Sequence, residues 1–187
     1  MTMRWLYMTV VLLLPCAAWA AGDSFGDGAR LESQYFTVTY KPGVDLNSLT
    51  GQLNVSKTDE VLTGQPLNGS SSSGRLASML DVLFNRASDI LDMHVYSYKG
   101  DIKVFATQSE LAQFFQNLYH KDLPCTGESF YSADLNTIYV SAEGFRREVL
   151  GHEMGHAIMS RYFVVQPSVK IQEVLAGYVE YQLRKSK

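Results

Sequence analysis

Residues 152–156 read His-Glu-Met-Gly-His, the pattern H-E-x-x-H. In an α-helix, residues four apart share one face. Two imidazoles so placed can grip one Zn²⁺, and the intervening Glu153 can serve as general base toward a metal-activated water. The pattern has this meaning only on a helix, so it commits residues about 145 to 163 to that state. Leu150, Met154, Ala157 and Ile158, with the apolar stem of Arg161, supply the stripe that would turn this helix toward a core. His152 and His156 fall off that stripe, where a cleft would lie.

Two histidines do not complete a catalytic zinc site, which takes a third protein ligand and leaves one position open. Downstream of His156 the chain has no further His, Asp or Cys, and its only acids are Glu173 and Glu180. The longer pattern with glycine at 159 and histidine at 162 is ruled out by Met159 and Tyr162. A two-His, one-Glu set remains. Glu173 is the better third ligand, because it opens the last helix, one loop past the motif helix, and Pro167 punctuates that loop. Ala176 and Gly177 would allow two antiparallel helices to approach closely. Glu180, two turns further on, is left as an acceptor that orients a histidine or as a residue with no role.

The other elements follow from periodicity. Gln34–Tyr40 alternates like a strand, and Ile102, Val104 and Ala106 mark another. Leu76, Met79, Leu80, Leu83, Ala87, Ile90 and Leu91 recur on one helical face, which should back the core. Thr107 and Glu110 form a capping box for a helix through about Tyr119. Residues 130–141 read as a hairpin or a bent strand pair, and a final helix spans about 171–183. Residues 45–65 are ambiguous, because Gly51 and Asn54 interrupt helical spacing. The Ser/Gly-rich run 68–74 reads as a surface loop. The 187 residues suffice for one domain with a core.

Arg4, the apolar run Leu6–Leu14, Pro15 and the Ala18-Trp19-Ala20 site have the layout of a secretory signal peptide. The expected organisation is a signal at 1–20, a flexible lead-in at 21–33 and one domain at 34–187. The product would be exported, periplasmic or secreted, with no stable membrane span after signal removal. Cys125 would then be the only cysteine, which rules out an intrachain disulfide; burial is its plainest reading. A net charge of −3 gives no electrostatic reason to expect nucleic acid. His94 and His120, each alone near a helix end, read as capping or solvent residues.

The stretch Glu173-Val174-Leu175-Ala176-Gly177-Tyr178-Val179-Glu180 resembles the glutamate helix of the gluzincin metallopeptidases, in which E-x-x-A follows the H-E-x-x-H helix. Asn136-Thr137-Ile138-Tyr139-Val140, leading into the motif helix, is similar too. The resemblance covers about residue 130 to the C-terminus. It implies His152, His156 and Glu173 as ligands of one Zn²⁺ and Glu153 as general base, acting on a peptide or protein substrate. It also implies an α+β, zincin-like half-domain: a twisted mixed sheet packed on the motif helix, the glutamate helix and a backing helix, with the site beneath an edge strand. The C-terminal subdomain of larger gluzincins has no counterpart before Lys187, which points to a minimal form. A non-catalytic or latent zinc- or peptide-binding module on the same fold is the alternative. The retained Glu153 favours the enzyme, since binding alone needs no base. Tyr131, Tyr162 and Tyr178 are candidate oxyanion donors, and the strand at 130–133 could take an extended substrate by strand addition.

Overall fold

A computed structural model describes residues 24–55, 57–64, 67, 69, 71–121 and 127–186. The expected signal at 1–20, Cys125 and parts of the loops at 68–74 and 121–128 lie outside the described residues. Five strands are present: β1 (Ala29–Glu32), β2 (Phe36–Tyr40), β3 (Gly100–Phe105), β4 (Ser129–Ser132) and β5 (Thr137–Ser141). Six helices accompany them: α1 (Leu46–Leu53), α2 (Lys57–Thr63), α3 (Ser72–Leu91), α4 (Gln108–Tyr119), α5 (Arg147–Tyr162) and α6 (Val169–Lys185). The architecture is therefore mixed, as an α+β reading requires.

The sheet has the order β1-β2-β3-β5-β4, parallel at its centre and antiparallel at both edges. Every residue of β5 is buried, because helices cover both faces of the sheet's centre. On one face Ile102, Ile138 and Val140 meet Leu76, Leu80 and Leu83 of α3 and Leu150, Met154 and Ile158 of α5 in a single core. On the other face Tyr139 and Phe105 pack with Phe114 and Leu111 of α4 and with Phe25. The α5 stripe is buried as its spacing requires, except that Arg161 is exposed. Its stem lies a turn beyond the core's edge, and the side chain lines a cleft instead.

Several boundaries differ from expectation. Ala29–Glu32, placed in the flexible lead-in, is an edge strand paired with β2, so the domain begins before residue 34. Only Leu31 of its four residues is buried, too little alternation to read as a strand. The ambiguous stretch holds α1, whose first amides at Asn47 and Ser48 are capped by Asp45, followed by α2. The serine run ends in a helix: Ser71 caps α3 by accepting from the Gly74 amide at 3.1 Å. The capping box of α4 is present in altered form. Thr107 accepts from the Glu110 amide, while Glu110 reaches back to the Ala106 amide, each at 3.2 Å.

Helices α5 and α6 pack against each other more extensively than any other pair. Gly155 makes this possible, since a Cβ there would stand 3.3 Å from the Ala176 Cα. A Cβ at Gly151 would collide with the Leu183 side chain. At the far end of the pair, the buried Arg147 guanidinium binds Asp59 of α2 at 3.0 Å and the Leu183 carbonyl of α6 at 2.9 Å, and it also meets Ser186. Asp59→Ala would leave that cation without its carboxylate and should cost about 3–5 kcal/mol. Urea unfolding followed by circular dichroism measures the loss, and a change below about 1 kcal/mol would rule out this clamp as a stabilising element.

Candidate metal centre

The cleft lies between the β4 edge and the paired helices and encloses about 1100 Å³. Helix α5 sends Val149, His152, Glu153, His156 and Ser160 into it, a face one step round from the core stripe. Helix α6 runs back antiparallel after the Pro167 turn and adds Glu173 and Glu180.

Three side chains converge. His152 Nε2 and His156 Nε2 are 3.3 Å apart, Glu173 Oε2 is 3.5 Å from His152 Nε2, and Glu173 Oε1 is 3.6 Å from His156 Nε2. Three donors at about 2.1 Å from a tetrahedral Zn²⁺ would be separated by about 3.4 Å. Each separation is close to that value, with the two Glu173 contacts made by different carboxyl oxygens, and is long for the hydrogen bonds that would otherwise draw these groups to about 2.8 Å. Among the described residues, this is the one group of three His, Cys or acidic side chains arranged to hold an ion.

The surroundings suit such a set. Burial and the neighbouring His152 hold His156 below the ordinary imidazole range, opposed by the Glu173 carboxylate, so the neutral form that can donate a lone pair is favoured. His152 Nδ1 is buried without a hydrogen bond. The Glu180 carboxylate stands 3.4 Å away. With Nε2 turned to a metal, Nδ1 carries the proton, and Glu180 becomes the acceptor that orients the ring. Arg184 in turn pairs with Glu180.

Glu153 is buried beneath β4, where its Oε1 accepts from Ser129 Oγ at 2.7 Å. Burial pushes this carboxyl above the ordinary glutamate range, while the Ser129 hydroxyl and the His152 imidazole pull it down. A carboxyl of raised proton affinity that is still hydrogen-bonded in its charged form suits the role of a general base. The motif offered no sign of Ser129. Its partner is set by the sheet placing the first residue of β4 over α5, a long-range pairing that periodicity does not encode.

Of the three candidate tyrosines, only Tyr131 lines the cleft; Tyr162 and Tyr178 point to solvent elsewhere. Tyr131 donates to Asn136 Oδ1 at 3.1 Å and shares a hydrogen bond of 2.8 Å with Ser160 Oγ. Burial pushes its phenol up, so it stays protonated. Asn136, in the left-handed turn of the hairpin at φ 48°, also accepts from Tyr98 at 3.0 Å. This network ties the β4–β5 hairpin to α5. His94 and His120 lie outside the site. His120 is the left-handed C-cap of α4, and His94 sits 3.8 Å from Asp89 and from Asp92.

Removing the Ser129 hydroxyl takes away a bond that favours the Glu153 carboxylate, so Ser129→Ala should raise its pKa further. Carbon-13 NMR titration of the metal-free protein measures this, and an unchanged or lower value would show that the bond does not act on the base.

Comparison with known protein families, curated proteins and solved structures found no match to this chain.

Proposed function

We propose that this chain is a zinc metallopeptidase of gluzincin type, in which His152, His156 and Glu173 hold the metal and Glu153 is the general base. The observation that carries the reading is the convergence of two imidazole nitrogens, 3.3 Å apart, with the two Glu173 carboxyl oxygens, Oε2 at 3.5 Å from His152 Nε2 and Oε1 at 3.6 Å from His156 Nε2, beside a buried carboxyl one residue from His152. When bound, Zn²⁺ would supply the Lewis acidity that polarises a peptide carbonyl and acidifies water. The chain's own residues do the rest. Glu153 takes a proton from the attacking water at a carboxyl oxygen and returns it to the departing amide nitrogen. Ser129 fixes that carboxyl under the strand, and Glu180 orients the His152 ring.

The fold supports a zincin-like reading through its edge strand. Strand β4 ends the sheet, lines the cleft and pairs only with β5 among the described strands. Its free edge can take an extended peptide by strand addition above the metal site. The tie from Tyr131 and Asn136 to Ser160 sets that edge relative to α5. The signal-like layout of residues 4–20 supports an exported enzyme, periplasmic or secreted.

Purified protein should bind about one zinc per chain by mass-spectrometric metal analysis. His156→Ala and Glu173→Ala should each lose that metal. Glu153→Gln should retain it while peptide hydrolysis falls by about 10²–10⁴. Full metal content in His156→Ala would defeat the ligand assignment. Undiminished hydrolysis by Glu153→Gln would defeat the base.

A further inference from the structure

Helix α6 carries a second apolar face that the fold does not use. Ala176, Val179 and Leu183 pack inward and are buried. On the opposite side Ile171, Val174, Tyr178 and Tyr181 recur at steps of three, four and three, and each is about half exposed or more. The stripe continues into the α5–α6 loop, where Val164 is fully exposed and Val165 is 83% exposed. Tyr162 flanks the loop, itself half exposed. A row of exposed apolar side chains along one helix face is a candidate site of contact.

The charges choose the partner. Lys170 and Lys185 stand four residues from Val174 and Tyr181, on the stripe's own side and at its two ends, both exposed. The segment 162–171 contains no acid. The helix's two carboxylates, Glu173 and Glu180, are turned toward His152 and away from this face. The surface is thus apolar and tyrosine-bearing, with cations and no carboxylate. A second copy laid against it would bring lysines to lysines with nothing to offset them. An anionic bilayer complements it on every count: valines and isoleucine in the acyl boundary, tyrosines at the headgroup level, lysines on the phosphates. No helix among the described residues is long and apolar enough to cross a membrane, so the contact lies in the interface plane.

We propose that the outer face of α6 and the Val164–Val165 loop form a docking surface for an anionic lipid bilayer. It places α6 flat on the membrane. Gln166 of the same loop lines the cleft, so one mouth of the cleft opens next to the bilayer surface. Docking does not depend on the metallopeptidase reading and is tested without any hydrolysis.

The test is flotation of the exported chain, from residue 21 on, with vesicles of equal phosphatidylglycerol and phosphatidylcholine. Starting at residue 21 removes the apolar run at 6–14. The protein should float with these vesicles, and at least tenfold more weakly with pure phosphatidylcholine. Each lysine near an anionic surface is worth about a fivefold change in affinity, so Lys170→Glu/Lys185→Glu should bind roughly 25-fold or more weakly. Val164→Asp/Val165→Asp should abolish flotation, whereas Val61→Asp, at an exposed valine on α2, should leave it unchanged. Thermal melts by circular dichroism establish that each variant is folded. Failure of the parent chain to float overturns the proposal, as does equal flotation of the folded loop and lysine variants. A dimer in light scattering that Val174→Asp splits, without flotation, assigns the face to a second copy and overturns it too.

Discussion

The close approach of α5 and α6 is the constraint on which the site depends. A glutamate reaches only a few ångströms from its backbone, so Glu173 can meet two imidazoles on a neighbouring helix only if the axes come nearer than bulky residues permit. Gly151 and Gly155 on α5 and Ala176 on α6 provide that approach. Each glycine inside a helix costs about 1 kcal/mol relative to alanine. The buried faces of Val179 and Leu183 offset the cost, and the Arg147 clamp at the α6 C-terminus holds the register. Arg147 sits in the first turn of α5, where the helix dipole disfavours a cation. Its bonds to Asp59 and to the last carbonyls of α6 supply the compensation, so the same residue completes one helix end and ties down another.

Within that frame the site balances opposing electrostatic pressures. Burial shifts Glu153 toward its neutral form, which cannot accept a proton. The Ser129 hydroxyl and the histidine next to it return part of the preference for the charged form. Burial presses on His156 in the other direction, toward the neutral ring. One desolvated cleft therefore favours opposite changes of charge in the two groups, and both suit the roles assigned to them: a base of raised affinity for protons and a ligand free of one. Strand β4 takes part in this balance because it both covers Glu153 and supplies the serine.

The sequence made legible what rests on periodicity and on short-range chemistry. The helices that carry residues 76–91, 108–119 and 147–162, the central strands and the hairpin announce themselves by spacing and caps, although the first turn of α3 lies in the serine run read as loop. The pairing of His152, His156 and Glu173 followed from the exhaustion of other donors after residue 156, and the distances bring those three together. What stayed hidden depends on partners far along the chain. Strand β1 has one buried residue and exists because β2 offers it an edge. The Asp59–Arg147 pair spans 88 residues. The Ser129–Glu153 bond and the Tyr131–Asn136–Ser160 tie arise from how the sheet lies over α5, which no local pattern specifies. Arg161 was misplaced for a related reason: helical spacing gives the direction of a side chain and not the point where the core ends.

Helix α6 shows how such a choice is made when spacing is ambiguous. It bears two apolar faces, and the more hydrophobic-looking one, with Ile171, Val174, Tyr178 and Tyr181, is the face left outside. Turning that stripe inward would rotate the helix by roughly 150° at 100° per residue. It would set tyrosines against the glycine groove of α5, which admits only the Ala176 surface at its closest point. It would also carry Glu173 and Glu180 away from the imidazoles. Shape complementarity thus outweighs apolar area in fixing the rotation. The outward stripe is a consequence of that selection: a helix whose small-residue face is committed to the site leaves its bulky, cation-flanked face free to meet something outside the fold.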